Sequence, residues 1–309
     1  MKKVQKESAN KAVIIGGAGF IGSHLANLLI KEGFIVEVID NLSGGKRENV
    51  NSKAVLHEAD IRDLEAIKPI IKDARYVFHL AALPRVQFSI EHPAETNEVN
   101  VTGTLNVLIA AKEGGAERVI YSASSSAYGD QPKLPLVETM LAQPKSPYGL
   151  HKYIGELYMR LWREVYGLST VSLRYFNVYG PGMDPEGAYA LAVGKFFKLR
   201  SEGKPLTITG DGTQTRDFTH VRDVVRANLL AATSAKVGKG EVINIGAGRN
   251  HSINELAKLI GGPVVHVAPR LEPHDTLADN SLAKKLLGWK PEVSLEEGIE
   301  ELKDLSGKL

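Results

Sequence analysis

Gly16, Gly19 and Gly22 stand in G-x-x-G-x-x-G spacing, directly behind an apolar run at residues 12–16 and at the mouth of a helical pattern at 21–31. Glycine at these places permits a tight turn and lets backbone approach a pyrophosphate closely. A helix starting there offers unpaired N–H groups and the positive end of its dipole to phosphate. A bare triplet could equally serve only to pack a helix on a strand. Its position between strand and helix favours the phosphate reading.

The chain then repeats the alternation. Apolar β-rich runs at 34–40, 55–58, 76–80, 118–122 and 170–176 are separated by helical patterns, notably 97–113 and 147–166. This predicts an α/β fold, a Rossmann-type doubly wound parallel sheet with helices on both faces. Right-handed crossovers put the carboxyl ends of the strands, and the ligand, on one edge. Beyond residue 177 the elements shorten and turns multiply at 180–187, 210–212 and 246–248. We expect an NAD-binding domain over 11–176 and a smaller C-terminal α/β substrate lobe over 177–309. Residues 219–246 are placed to rejoin the main domain, because 241–245 are β-like. Capping boxes at Ser252/Glu255 and Ser294/Glu297 mark helix starts in the lobe.

Composition removes several function classes. With 43% hydrophobic and 24% charged residues, a chain of 309 residues can build a core. The 38 basic and 36 acidic residues nearly cancel, which argues against nucleic acid as the partner. The absence of cysteine excludes disulfides, thiolate metal sites and thiol catalysis. Nine histidines form no metal-ligand spacing, so no metal is expected. The first ten residues lack the apolar core of a signal peptide, and no apolar run approaches the ~18 residues of a membrane span. The expectation is a soluble cytoplasmic protein without membrane partners.

Asp40 ends the second strand about 20 residues after the glycines, where a carboxylate accepts hydrogen bonds from an adenosine ribose. It would repel a 2′-phosphate, so NAD is favoured over NADP, although Lys46 and Arg47 lie nearby. Asp60 and Ile61 follow the third strand, at the expected adenine edge. Asp60 could instead cap the next helix.

Ser146 and Pro147 suit the N-cap and first position of a helix. Tyr148 and Lys152 then lie side by side at i and i+4. None of the other nine tyrosines has a lysine four residues later. An ammonium beside a phenol lowers its pKa from about 10, toward a general base near neutral pH. An aromatic/cationic surface pair is the bland alternative. Ser124, Ser125 and Ser126 follow the 118–122 strand, at the sheet's carboxyl edge.

These segments resemble the extended short-chain dehydrogenase/reductase family. Gly16-Gly17-Ala18-Gly19-Phe20-Ile21-Gly22 matches its fingerprint, Asp40-Asn41-Leu42-Ser43 its D-N-L-S turn, His79-Leu80-Ala81-Ala82 its H-L-A-A and Asn100-Val101-Thr102-Gly103-Thr104 its N-V-x-G-T. The resemblance implies NAD contacts from Gly16, Gly19, Phe20, Ile21, Gly22, Asp40, Asn41 and Ser43. Further along the chain it implies them from Leu80, Ala81, Ala82, Asn100, Ser122, Tyr148, Lys152 and Phe176. It makes Ser124, Tyr148 and Lys152 the catalytic set, with Ser125 and Ser126 beside the substrate. Related dehydratases carry Asp-Glu in the serine segment and decarboxylases a Glu. This chain has only hydroxyls at 122–126, which suits reversible oxidation at one carbon.

On the substrate side, Arg174-Tyr175-Phe176-Asn177-Val178-Tyr179-Gly180 resembles the R-Y-F-N-V-x-G stretch of UDP-sugar 4-epimerases. Asn177, Arg216 of Arg216-Asp217-Phe218-Thr219-His220-Val221, and Arg270 are then implied on the diphosphate, a dianion that suits guanidinium donors. Gly187-Ala188-Tyr189-Ala190 resembles the loop over the nucleotide, with Ala190 in contact. Residues 270–279 lack the family's G-D and are one residue shorter. Thr276 falls where that family sets the depth of the sugar pocket. The resemblance implies an NAD-dependent UDP-hexose 4-epimerase interconverting UDP-glucose and UDP-galactose. Small Thr276 would also admit UDP-GlcNAc and UDP-GalNAc. A UDP-glucuronate 4-epimerase, a nucleotide-sugar reductase and a non-catalytic NAD sensor are the alternatives. It further implies a homodimer through helices 97–113 and 147–166. Their apolar residues Leu105, Leu108, Ile109, Ile154, Leu157 and Leu161 could instead face the protomer's own sheet.

Overall fold

A computed structural model describes residues 10–184, 192–268 and 274–307. The first strand, β1 (Lys11–Ile15), has Val13, Ile14 and Ile15 inaccessible to solvent, as expected of a strand covered on both faces. Helix α1 (Phe20–Lys31) buries Leu25 and Leu29, one turn apart, against it. There follow β2 (Ile35–Asp40), β3 (Val55–Glu58), α2 (Leu64–Ile71) and β4 (Tyr76–His79). Helices α3 (Val86–Glu91) and α4 (Pro93–Asn97) run into a π-helical turn (Glu98–Thr102) and then α5 (Gly103–Glu113). The helix expected over 97–113 is therefore interrupted. The π turn aims Asn100 inward, where its side chain clamps the backbone of Leu83.

Strand β5 (Arg118–Ser124) extends two residues past the expected end, so Ser124 closes the strand instead of following it. Helix α6 (Pro147–Tyr166) starts at Ser146, whose Oγ accepts from Gly149 N at 3.1 Å, and stops at Gly167 with φ +73°. Strand β6 (Ser169–Tyr175) follows, then β7 (Val178–Tyr179) and α7 (Ala192–Ser201). The remaining elements are β8 (Leu206–Thr209), β9 (Thr215–Asp217), β10 (Thr219–His220), α8 (Val221–Thr233), β11 (Lys239–Ile245), β12 (Asn250–Ser252), α9 (Ile253–Ile260), β13 (Val264–Val267), α10 (Ser281–Leu287) and α11 (Leu295–Leu305).

Seven parallel strands form the main sheet in the order β11-β6-β5-β4-β1-β2-β3. The order reverses between β1 and β4, and a crevice opens outside their carboxyl ends. One face is covered by α1, α8 and α10 through Leu25, Leu29, Val224, Ala231 and Leu287, with Trp289 just past the end of α10. The other is covered by α2, α5 and α6 through Ile67, Leu108, Met159 and Trp162. Residues 221–245 and 281–289 thus belong to the main core, although they lie beyond 177. A separate core around Phe196, Leu256, Ile260 and Ile299 builds the lobe from short strand pairs (β8/β13, β9/β12, β7/β10) and α7, α9 and α11. Both capping boxes form.

The helix faces expected at a dimer contact divide. Leu108 is fully buried in its own core, with Leu105 and Ile109 packed on it, whereas Leu157 and Leu161 lie exposed on α6. Among the described residues, no helix is long and apolar enough to cross a membrane.

Candidate active site

The glycine turn joins β1 to α1 at the sheet's reversal point. A Cβ on Gly22 would collide with the Gly16 carbonyl, and one on Gly16 would lie 2.7 Å from Ala81 N. These two glycines serve backbone packing. Gly19 differs: its added Cβ would meet only Gly16 O, at 3.4 Å, so this position faces open space. Gly19 is also the N-cap of α1, and no side chain caps that helix start. Gly19 and the amides behind it are thus the part of the turn left open toward the expected phosphate, with Phe20 and Ile21 buried beneath.

Asp40 closes the cradle. Its Oδ2 accepts from Ala18 N at 2.9 Å and its Oδ1 from Leu42 N at 2.8 Å. Burial raises its pKa and those two amides oppose the rise. Asn41 donates from Nδ2 to Asp60 Oδ2 at 2.8 Å, while its Oδ1 accepts from the backbone N–H and hydroxyl of Ser43. Asp60 is paired with Arg62, which holds its carboxyl down at about 2. It does not cap the following helix; Asp63 does. Ile61 is buried against Gly103. Leu80 N and Ala81 N both donate to Ile15 O at 2.9 Å, which brings 80–82 beside the glycine turn. The residues present fit a dinucleotide: an open, uncapped helix start, an acid at the ribose position and apolar walls.

Ser124, Tyr148 and Lys152 converge at the carboxyl end of β5. Gly149 and Gly155 let α6 approach that strand. A Cβ at 149 would sit 2.7 Å from Ser126 O, and one at 155 would strike the Tyr121 hydroxyl. Ser124 Oγ accepts from Ser126 N at 3.1 Å, which folds Ser125 and Ser126 into a 3₁₀ turn. Tyr148 N donates to Ser89 Oγ at 3.1 Å, so a buried serine on α3 supports the helix start that carries the phenol. Sequence reasoning missed Ser89, because no local pattern marks a cap supplied from another helix.

The electrostatics correct one expectation. Burial pushes the Tyr148 phenol up to about 12, and a hydrogen bond with Ser124 is what opposes it. Lys152 lies one turn along the same helix. Its Nζ donates to Ser122 O at 2.7 Å and lies 5.0 Å above the Tyr121 ring. Burial depresses the ammonium itself to about 7. Spacing put the two side chains together, but desolvation outweighs their mutual field. His79, also fully buried, stays neutral with its pKa near 3, lowered by burial and then by Lys152. Thr104 gives its hydroxyl proton to Asn100 O, so His79 Nε2 donates to Thr104 Oγ1 at 2.8 Å. Asn100 itself is engaged with Leu83 and thereby supports the Leu80–Ala82 wall.

Phe176 is buried against Tyr128, with ring centroids 6.3 Å apart. The Arg174 guanidinium lies 4.3 Å from the centroid of the Tyr128 ring and pairs with Glu156 of α6 through two bonds of 2.6 and 2.8 Å. This buried pair ties α6 to β6. A cavity of about 260 Å³ opens behind it, lined by Glu138, Tyr153, Arg160 and Val242, away from the Ser124–Tyr148 edge. Chemistry, not volume, marks the site.

Asn177 has φ +30° and donates to Asp217 O at 3.1 Å. Arg216 Nη1 donates to Thr215 O and His274 O, both at 2.9 Å. Thr276 N donates to Thr215 O, and its hydroxyl accepts from Asp217 N at 3.4 Å. Asn177, Arg216 and Thr276 are therefore brought together at the seam between sheet and lobe. Ala190 and Arg270 lie outside the described residues. Among those described, no group of His, Asp and Glu is placed to hold a metal.

Residues 12–246 match the model of the NAD dependent epimerase/dehydratase family. A UDP-glucose 4-epimerase from Thermotoga maritima, solved with UDP-glucose, is 41% identical (TM-score 0.90; 96% of this chain, 99% of that one). A UDP-N-acetylglucosamine 4-epimerase from Methanobrevibacter ruminantium M1, in complex with UDP-N-acetylmuramic acid, is 36% identical (0.89; 96% and 99%). A UDP-glucuronic acid 4-epimerase from Bacillus cereus, with UDP-glucuronic acid and NAD, is 35% identical (0.87; 96% and 98%).

Proposed function

Because this chain belongs to the NAD-dependent epimerase/dehydratase family, we propose that it is a UDP-hexose 4-epimerase interconverting UDP-glucose and UDP-galactose. The observation that carries this reading is the convergence of Ser124, Tyr148 and Lys152 beside a strand end bearing hydroxyls and no carboxylate. Elimination of water or of a carboxyl group asks for a further acid or base there. Transfer of a proton at one carbinol does not.

In this reading Tyr148, as its phenolate, takes the proton of the sugar's 4-hydroxyl while C4 is oxidised. The positive charge of a bound oxidised nicotinamide would favour that phenolate against the burial that raises its pKa. Ser124 holds the same oxygen. Lys152, anchored on Ser122 O, places an ammonium whose pKa is depressed to about 7 one helix turn from the phenol. The Gly19 turn and Asp40 would hold NAD, which would supply the reversible two-electron acceptor. The 4-keto sugar would turn over while Asn177 and Arg216 retain its diphosphate, C4 would be reduced from its other face, and Tyr148 would return the proton to the 4-oxygen. Because reduction at C4 reverses the oxidation at C4, no added redox equivalent would be consumed.

The proposal includes UDP-GlcNAc and UDP-GalNAc, because Thr276 is small. The three solved relatives act on different sugars, so the exact substrate is a matter for assay. The enzyme should convert UDP-glucose to UDP-galactose with no added cofactor. UDP-N-acetylglucosamine and UDP-glucuronate are tested separately. Absence of conversion with all three, or dependence on added reduced cofactor, overturns the epimerase reading.

We also propose a homodimer through α6. Leu150, Leu157, Leu161 and Val165 form an exposed apolar stripe on one side of this helix. A monomer mass by light scattering at micromolar concentration would refute it.

A further inference from the structure

Asp217 is fully buried, and its carboxylate gathers amides from two separate loops. Oδ1 accepts from Ala247 N at 2.7 Å, and Oδ2 accepts from Gly248 N and Ala278 N, each at 3.0 Å. Its own backbone reaches two more points, with N donating to Thr276 Oγ1 and O accepting from Asn177 Nδ2. Four pieces of chain meet on this one residue: the exit of β6, the exit of β11, the strand β9 and the return at 276–280. The first two leave the carboxyl edge of the main sheet. The third carries Arg216.

The junction has no slack. A Cβ on Gly246 would collide with Ala278, and would lie 3.0 Å from Asp217 Oδ2 and 3.3 Å from the Phe176 ring. Asn177 holds a left-handed φ, which a side-chain-bearing residue keeps only with outside support. That support is the Asp217 carbonyl, together with Thr219 N donating to Asn177 O at 3.2 Å. Burial pushes the Asp217 carboxyl up to about 6 despite the three amides. At neutral pH the chain therefore keeps an ionised acid where burial opposes it. Such a residue is retained for what it arranges.

We infer that Asp217 is a positioning residue for the substrate diphosphate, setting Asn177 and Arg216 in register across the seam between sheet and lobe. The inference rests on the UDP-sugar reading above. The hydrogen bonds of Asp217 run to residues 177, 247, 248, 276 and 278 and to none of Ser124, Tyr148 or Lys152, so it acts on binding and leaves the chemical step alone.

Asparagine at 217 must turn its NH₂ toward at least one backbone N–H, whichever way it lies. The test compares wild type and Asp217→Asn as NAD-loaded enzymes. Calorimetry measures UDP affinity, and initial rates give KM and kcat for UDP-glucose. The expected result is a roughly tenfold or larger rise in KM and in the Kd for UDP, as for loss of a hydrogen bond to a charged group. The kcat stays within about threefold and NAD content is unchanged. An unchanged KM overturns the inference. So does a parallel fall in kcat, NAD content and thermal stability, which is the signature of a scaffold residue. If the variant fails to fold, hydrogen exchange on wild type decides. UDP-glucose should slow exchange of the amides at 247, 248 and 278 beyond the NAD-loaded state, and no slowing overturns it. Wild type that binds neither UDP nor UDP-glucose fells the UDP-sugar reading and this inference together. Normal wild type with an unaffected Asp217→Asn fells this inference alone.

Discussion

The two halves of the site are built by different means. At the catalytic edge each side chain stands on a long element with its own local supports. Tyr148 and Lys152 ride one capped twenty-residue helix, and Ser124 ends a seven-residue strand. At the substrate seam the elements are two or three residues long, and Asp217 holds them together. A long element sets its residues by internal periodicity. A short one takes its geometry from whatever it touches. The first arrangement suits chemistry that tolerates little displacement. The second suits a pocket whose dimensions differ among relatives of one fold.

If this division is right, changes at the two places alter different quantities. Tyr148→Phe should lose turnover by a factor on the order of 10² to 10⁴ while retaining fold and NAD. Near wild-type turnover in rapid-quench assays would remove Tyr148 as the base. Glu156→Ala should leave the Arg174 guanidinium buried without its counter-ion. The expected cost is about 3–5 kcal/mol in denaturant unfolding. An unchanged midpoint would mean that α6 does not need this tie to β6.

Asp217 gives the reverse sign. Its folded pKa, about 6, lies above the ordinary 3.8. Its contribution to stability is therefore fully present below 3.8 and lost as pH rises through 6. Between pH 4 and 7 wild type should lose, relative to Asp217→Asn, on the order of 3 kcal/mol of unfolding free energy. A gap that is flat with pH would show that Asp217 does not titrate in this range. The smallest expected effect is at the sugar. Thr276→Tyr should discriminate against UDP-N-acetylglucosamine by about tenfold or more, through an overpacking penalty of roughly 1–3 kcal/mol, with UDP-glucose spared. Equal loss of both activities, or no acetamido activity in wild type, would sink it.

Sequence reading succeeded where one segment carries the whole message. The glycine spacing, the Ser146–Pro147 cap and the Tyr148/Lys152 interval are all short-range, and helix or turn geometry converts them directly into positions. It failed where the message is a contact or a dielectric. The π turn at 98–102 exists because Asn100 must reach Leu83, which no local pattern announces. Lys152 stands beside Tyr148 as expected, yet the phenol rises because spacing does not report how much water is excluded. Ser89 and Asp217 act through backbone amides far along the chain. Their residue types alone are compatible with a dozen surface roles.

The edge strand β11 carries a consequence for how this molecule is made. It pairs with β6 only after β7 to β10 and α7 and α8 have been synthesised, and Trp289 seals the same face later still. A nascent chain that has released only its first 176 residues lacks β11, α8 and α10. Leu25 and Leu29 on α1 then have no partners from Val224, Ala231 or Trp289, and the backbone of β6 is unpaired along one side. Such an intermediate is adhesive until the ribosome delivers the remainder. Expressing the cofactor-binding half alone should yield aggregates, whereas a chain carried through residue 289 can close the sheet.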